Sequence, residues 1–217
     1  GKLRDLRPSE MVDQVLFTQL DSGQEISNIV LMGIGEPLDN YDNFVRFVHL
    51  LSDEHGLHIS QRNITISTCG IVPNMKRLAD EQLQITLALS LHGSTQEKRK
   101  VLMPIANKYE LPDVLEACDY YFEKTGRRIT FEYSLVAGVN DRKEDAEELI
   151  ALIRGMNCHV NLIPVNPIKE RDYKQSDKEQ VQRFKARIEK SGISATVRRE
   201  MGRDIDGACG QLRRSHM

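Results

Sequence analysis

Apolar residues along this chain switch repeatedly between helical and strand-like spacing. Met11, Val15, Leu16 and Leu20 follow Pro8-Ser9-Glu10 at intervals that share one helix face, so a helix is predicted from residue 8 to about residue 20. The run Ile29-Val30-Leu31-Met32 predicts a strand over 28–33. Phe44, Phe47, Val48 and Leu51 line one face of a second helix over 41–53. A strand at 63–67, a short helix at 73–81 and a strand at 84–90 come next. Pro112 fits the first turn of the following helix and Gly126 its C-cap. A strand at 128–135, a helix at 142–154, a strand at 158–164, a helix at 177–191 closed by Gly192, and a strand at 195–199 complete the series.

Six strands alternating with helices imply a parallel sheet of β/α units. Several strands are nearly continuous apolar runs, as expected where both sheet faces are covered. Their number falls short of the eight-stranded barrel, and the opening helix implies a strand ahead of it. The expected fold is α/β, a partial (β/α)6 TIM-like barrel truncated at its N-terminus; a doubly wound sheet is the rival. No internal repeat, low-complexity tract or linker divides the chain.

Composition adds exclusions. Apolar residues at 40% and charged residues at 29% fit a globular domain with a core of its own. No apolar run approaches the roughly 20 residues of a membrane helix. Gly1-Lys2-Leu3-Arg4-Asp5 has no apolar stretch of a signal peptide, so a cytoplasmic address and no membrane partner are expected. The net charge of −2 advertises no global affinity for nucleic acid. Local basic groups do occur: Lys98-Arg99-Lys100, Arg127-Arg128, and Arg198, Arg199, Arg203, Arg213 and Arg214. Each reads first as a solvated face. The four cysteines, Cys69, Cys118, Cys158 and Cys209, contain no C-x-x-C pair and do not space as a zinc site. No metal ligand is assigned within the chain. Cys118 and Cys158 read as packing residues.

In parallel β/α folds, ligands bind beyond the C-terminal ends of strands. The strand ends carry Gly33-Ile34-Gly35-Glu36, Ser67-Thr68, Ser90-Leu91-His92 and Asn166. Gly33 and Gly35 permit close approach to the backbone. Glu36 is an acceptor suited to a ligand ammonium, and Ser67, Ser90 and Asn166 suit a carboxylate, a ribose or a ring edge. Each is equally at home as a cap or turn residue. His92 alone reads as structural rather than catalytic. Cys209 lies between Gly207 and Gly210 with arginines near it, a setting that favours an exposed thiolate.

Together these segments resemble the dual-specificity RNA adenine-C2 methyltransferases of the radical S-adenosylmethionine superfamily. The resemblance rests on Met32-Gly33-Ile34-Gly35-Glu36-Pro37-Leu38, Ile66-Ser67-Thr68-Cys69-Gly70-Ile71-Val72-Pro73 and Leu89-Ser90-Leu91-His92. It extends through Leu102-Met103-Pro104-Ile105, His159-Val160-Asn161-Leu162-Ile163-Pro164-Val165-Asn166 and Asp204-Ile205-Asp206-Gly207-Ala208-Cys209-Gly210-Gln211-Leu212. It implies an incomplete barrel of the radical S-adenosylmethionine type. Gly35 and Glu36 match the segment that binds the methionine amino group of S-adenosylmethionine. Ser67, Ser90, Leu91, His92 and Asn166 match its other contacts, and Cys209 matches the cysteine that carries a methyl group during turnover. That chemistry answers a real difficulty: C2 of adenine is electron-poor and has no lone pair with which to attack a sulfonium methyl. One cofactor molecule methylates the cysteine, as a thiolate accepts a methyl by displacement. A second, cleaved reductively at a 4Fe–4S cluster, yields a radical that activates the methyl-cysteine. The implied partners are 23S rRNA, at an adenine of the peptidyl-transferase centre, tRNA, at an adenine beside the anticodon, and a reducing electron-transfer protein.

The three-cysteine motif that would hold that cluster is absent, so its ligands are expected upstream of the chain. Residues 1–214 are read as a catalytic core lacking its cluster-binding segment, and 215–217 as a cloning scar or the natural end. Pro37 favours the C2 group over a sister group that methylates adenine C8 and confers antibiotic resistance. A non-radical β/α-barrel enzyme and a non-catalytic RNA-binding module are the remaining alternatives.

Overall fold

The computed structural model describes residues 3–165 and 173–198. Helix α1 (Pro8–Ser22) leads to strand β1 (Ile29–Leu31), and α2 (Tyr41–Ser52) to β2 (Ile64–Thr68). Helix α3 (Val72–Asp80) precedes β3 (Thr86–Ser90), and the short α4 (Gln96–Leu102) and α5 (Leu111–Thr125) precede β4 (Ile129–Leu135). Helix α6 (Lys143–Leu152), β5 (Cys158–Pro164), α7 (Lys178–Lys190) and β6 (Ser194–Val197) follow. The predicted order is thus present, and α4 is an addition that the apolar pattern does not predict. Local chemistry explains the ends. The Arg7 N–H donates to the Glu10 carboxylate at the start of α1 at 2.8 Å, with Pro8 in the first turn. The Asp177 carboxylate accepts from Gln180 N–H at 2.7 Å and caps α7. Gly23 and Gly126 end α1 and α5 in the left-handed conformation.

All six strands are parallel and lie in sequence order, β1-β2-β3-β4-β5-β6. Each crossover therefore steps the same way. Because such connections are right-handed, every helix falls on one side of the sheet. This topology is that of an open β/α barrel; a doubly wound sheet would reverse its order part-way. The two faces then differ sharply. Residues such as Ile66, Leu89, Phe131, Tyr133 and Leu162 are fully buried under the helices. Their neighbours point the other way, and that face is polar: Thr65, Ser67, Ser90, Thr130, Glu132, Ser134, His159 and Asn161. The expectation that both faces are covered by apolar packing fails here, and the reason is the single-sided winding.

Cys118 and Cys158 are buried on the helix side, in agreement with a packing role. Burial raises both thiols, Cys158 to about 11. No helix among the described residues is long and apolar enough to cross a membrane.

Candidate functional site

Beyond β1 the chain turns through Gly35, whose φ of +104° lies where side chains are strained. A Cβ there would meet nothing within 4 Å, so the backbone angle, not crowding, calls for glycine. The same fact means that open space adjoins the Gly35 backbone. Glu36 then caps a 3-10 turn, Pro37–Asn40, with Oε1 accepting from the Leu38 N–H at 3.0 Å. Capping is half of what this carboxylate does. Oε2 accepts the N–H of Cys69, 33 residues on, at 2.7 Å. One carboxylate therefore ties the loop after β1 to the loop after β2. The Cys69 thiol also hydrogen-bonds this carboxylate, and of its roughly four acceptor sites one is left for a ligand ammonium.

Ser67 and Ser90 are half-buried on the polar face. Ser67 pairs with Ala88, two residues before Ser90 on the adjacent strand. One strand spacing across and two residues along place their Cα atoms about 8 Å apart. Leu91 is buried, and its N–H and that of His92 both donate to the Glu132 carbonyl, at 3.0 and 3.2 Å. His92 has a φ of +54°, unusual for a residue with a side chain. Three bonds hold it there. Its Nδ1 accepts the Ser134 N–H at 3.0 Å, its carbonyl accepts from Asn140 Nδ2 at 2.8 Å, and the Glu132 carbonyl fixes its N–H. An Nδ1 that accepts leaves the ring proton on Nε2.

Burial, and then the nearby Arg99 guanidinium, push the His92 imidazole down to about 4. The ring is neutral at pH 7 and stays neutral in the fold while the unfolded chain protonates near 6.5. The unfolded state thus binds more protons between about pH 6.5 and pH 4. Stability should fall as pH drops through that window, by on the order of 2 kcal/mol at pH 5. His92→Gln should flatten this part of the profile in urea titrations at about pH 7 and pH 5. An equally steep profile in the variant would remove His92 as its source.

The run Lys98-Arg99-Lys100, expected on a solvated face, requires a correction. It lies in α4, whose Thr95 cap accepts from the Lys98 N–H at 3.3 Å. Only Lys100 of the three is exposed. Lys98 meets Asp145 at 2.6 Å and Glu148 at 2.5 Å, tying α4 to α6. Arg99 is fully buried. Its Nη2 donates to the Cys69 carbonyl at 2.6 Å, while Nε and Nη1 have no hydrogen-bond partner among the described residues. Each orphaned donor costs about 1–3 kcal/mol. The apolar pattern gives no warning of this burial, because α4 has only seven residues and its flanking Leu102 and Met103 are themselves only half-buried.

Burial, and then the adjacent Glu36 carboxylate, push the Cys69 thiol up to about 12. At the rim Cys69 is therefore held as a neutral thiol at pH 7. On the polar face Glu132 is buried, which raises its carboxyl, and it accepts from Asn161 Nδ2 at 3.0 Å. Its register partner on β3 is Ser90.

The structure therefore gathers Gly35, Glu36, Ser67, Ser90, Leu91 and His92 at the C-terminal ends of three adjacent strands. Asn166 and Cys209 lie outside the described residues. An open backbone, a carboxylate with a spare acceptor site and two hydroxyls fit a zwitterionic, ribose-bearing ligand such as S-adenosylmethionine. An iron–sulfur cluster does not fit the described residues, which hold no group of three metal-binding side chains. Cys69, Cys118 and Cys158 stand on separate elements, one at the rim and two on the helix side.

A six-stranded, singly wound sheet with such a rim defines a β/α-barrel enzyme scaffold, and the sequence places it. Residues 3–153 match the radical SAM superfamily, and the chain belongs to that superfamily. It is 65% identical over 217 residues to a probable dual-specificity RNA methyltransferase RlmN of Lachnospira eligens, covering all of this chain and 62% of that protein. It is 62% identical over 216 residues to the protein of the same name from Lachnoclostridium phytofermentans, covering 61% of that one. The chain thus spans about three-fifths of the length of these curated relatives. A crystal structure of a radical SAM methyltransferase from Sphaerobacter thermophilus superposes with a TM-score of 0.92 at 44% identity, over 97% of this chain and 63% of that one.

Proposed function

We propose that this chain is the cofactor-binding part of an enzyme that methylates C2 of adenine in RNA, using S-adenosylmethionine and a methyl-cysteine at Cys209. The observation that carries the reading is the rim itself: Gly35, Glu36, Ser67 and the Ser90–His92 segment converge at the strand ends of a radical SAM domain. Membership of the superfamily sets aside the non-radical barrel alternative. Residues 1–214 are the catalytic core of a longer protein in this reading, with the cluster ligands in the remainder.

In the proposed reaction Glu36 accepts the ligand ammonium, the Gly35 backbone lies along the methionine moiety, and Ser67, Ser90 and Asn166 orient the carboxylate and nucleoside. His92 positions its segment as a neutral ring and donates no proton. When bound, S-adenosylmethionine would supply the methyl group from one molecule and the adenosyl fragment from a second. The Cys209 thiolate forms the new S–C bond while the methyl–sulfonium bond breaks, and S-adenosylhomocysteine leaves. The methylated sulfur then holds the carbon that adenine C2 cannot take by displacement.

The relatives' names point to RNA. The finer substrates proposed are the peptidyl-transferase adenine of 23S rRNA and the adenine beside a tRNA anticodon, with a reducing electron-transfer protein as partner in the cytoplasm. Pro37, which opens the turn after Glu36, favours C2 over C8. The test is mass spectrometry of the full-length protein after expression, together with digestion of RNA it has modified. One added methyl on Cys209 and 2-methyladenosine are expected. An unmodified Cys209 with unmodified RNA would refute the reading and leave an RNA-binding module; 8-methyladenosine would move the enzyme to the sister group.

A further inference from the structure

Arg99 has no role in the reaction just described, yet its surroundings are built around it. Its guanidinium is fully buried in the helix-side layer and has no carboxylate partner among the described residues. Two glycines make room for it. A Cβ on Gly70 would lie 3.1 Å from Arg99 Nη2, and a Cβ on Gly93 would lie 2.5 Å from the Arg99 backbone nitrogen. Gly93 thereby lets α4 pack against the loop after β3, and Gly70 lets the guanidinium reach the loop after β2.

A buried arginine without a counter-ion is a poor source of stability, because apolar side chains of similar volume serve such places as well or better. What it supplies is direction. Its Nη2 fixes the Cys69 carbonyl at 2.6 Å, and the N–H of the same residue is fixed by Glu36 Oε2 at 2.7 Å. Cys69 is thus clamped at both polar ends, and the clamp runs from α4 through the loop after β2 to the carboxylate after β1.

We propose that Arg99 is a positioning residue that sets the Glu36 carboxylate for the cofactor ammonium, acting through the backbone of Cys69. This rests on the reading of Glu36 as the ammonium acceptor. With the clamp gone, the loop after β2 is free to rotate its N–H away from Glu36 Oε2, and the carboxylate loses the bond that aims it across the rim. Lysine keeps the charge and can reach one carbonyl, but it lacks the planar fork that fixes direction.

The experiment uses the full-length, cluster-loaded protein, with S-adenosylmethionine affinity by calorimetry and thermal midpoints for each variant. Arg99→Met should weaken binding about tenfold and Arg99→Lys about threefold, with midpoints within a few degrees of the parent. In a Glu36→Ala background both effects should vanish, because residues acting through one group are not additive. Unchanged affinity in the Arg99 variants, or effects that persist in full without Glu36, would overturn the proposal. Should Arg99→Met not fold, Arg99→Lys completes the same cycle and decides the question alone. If Glu36→Ala alone leaves affinity unchanged, the reading of Glu36 fails first, a result distinct from failure of the clamp.

Discussion

Glu36→Ala in the full-length protein is expected to weaken S-adenosylmethionine binding by roughly 30- to 150-fold, the equivalent of about 2–3 kcal/mol for a charge-assisted hydrogen bond. Two losses combine. The ligand ammonium forfeits its acceptor, and the N–H groups of Leu38 and Cys69 forfeit theirs. The second loss loosens the loops after β1 and β2 before any ligand arrives. Glu36→Gln separates them. Its amide oxygen can still serve Leu38, but its NH2 faces the Cys69 N–H and carries no charge. Glutamine should therefore keep most of the turn and lose most of the affinity. Calorimetry on both variants reads the difference, and wild-type affinity in Glu36→Ala would remove the rim from consideration as the cofactor site.

Tyr133→Ala should cost the fold about 3–5 kcal/mol, which for a chain of this size lowers the thermal midpoint by roughly 10 °C. Tyr133 is fully buried on the helix-side face of β4 and stacks on Phe184 of α7, with ring centroids 5.5 Å apart. Its hydroxyl donates to the Asn140 carbonyl at 3.1 Å. Asn140 in turn bonds the carbonyls of His92 and Ser134 through Nδ2 and accepts the Val136 N–H through Oδ1. Alanine leaves a ring-sized void and removes the stacking, and it also slackens the residue that holds the His92 turn. Tyr133→Phe removes only the hydroxyl bond and should cost about 1 kcal/mol. A calorimetric scan showing a shift of only about 1–2 °C for alanine would mean that the cavity collapses and the packing argument is wrong.

The strand and helix order is legible because short apolar runs repeat between amphipathic stretches, as at 63–67 and 84–90. The rim follows from the same pattern: once the strands end at Ser67 and Ser90, their C-terminal neighbours are fixed by topology. What resists is short or long-range. Helix α4 has seven residues, and its Lys98-Arg99-Lys100 run hides the burial of the middle member. Charge patterning reports average solvation, whereas Arg99 is drawn inward by the carbonyl of Cys69, 30 residues earlier. The Glu36–Cys69 bond spans 33 residues and leaves no local trace. Gly93 is a signal in principle, since only a glycine allows α4 so near. The sidedness of the sheet is present too, in the alternation Thr130, Glu132, Ser134 against Phe131, Tyr133, Leu135. Counting apolar residues along β4 hides it, because the count takes no account of which face each one joins.

That alternation has a consequence for how the gene tolerates error. A substitution in β4 changes one face at a time, because the pleat sends alternate side chains to opposite sides. A single codon inserted within β4 is not confined in this way. It would turn Phe131 and Tyr133 toward the open side and drive Glu132 into oil, exchanging interior for exterior along the rest of the strand. The sheet forgives spelling far more readily than it forgives a slip of one residue.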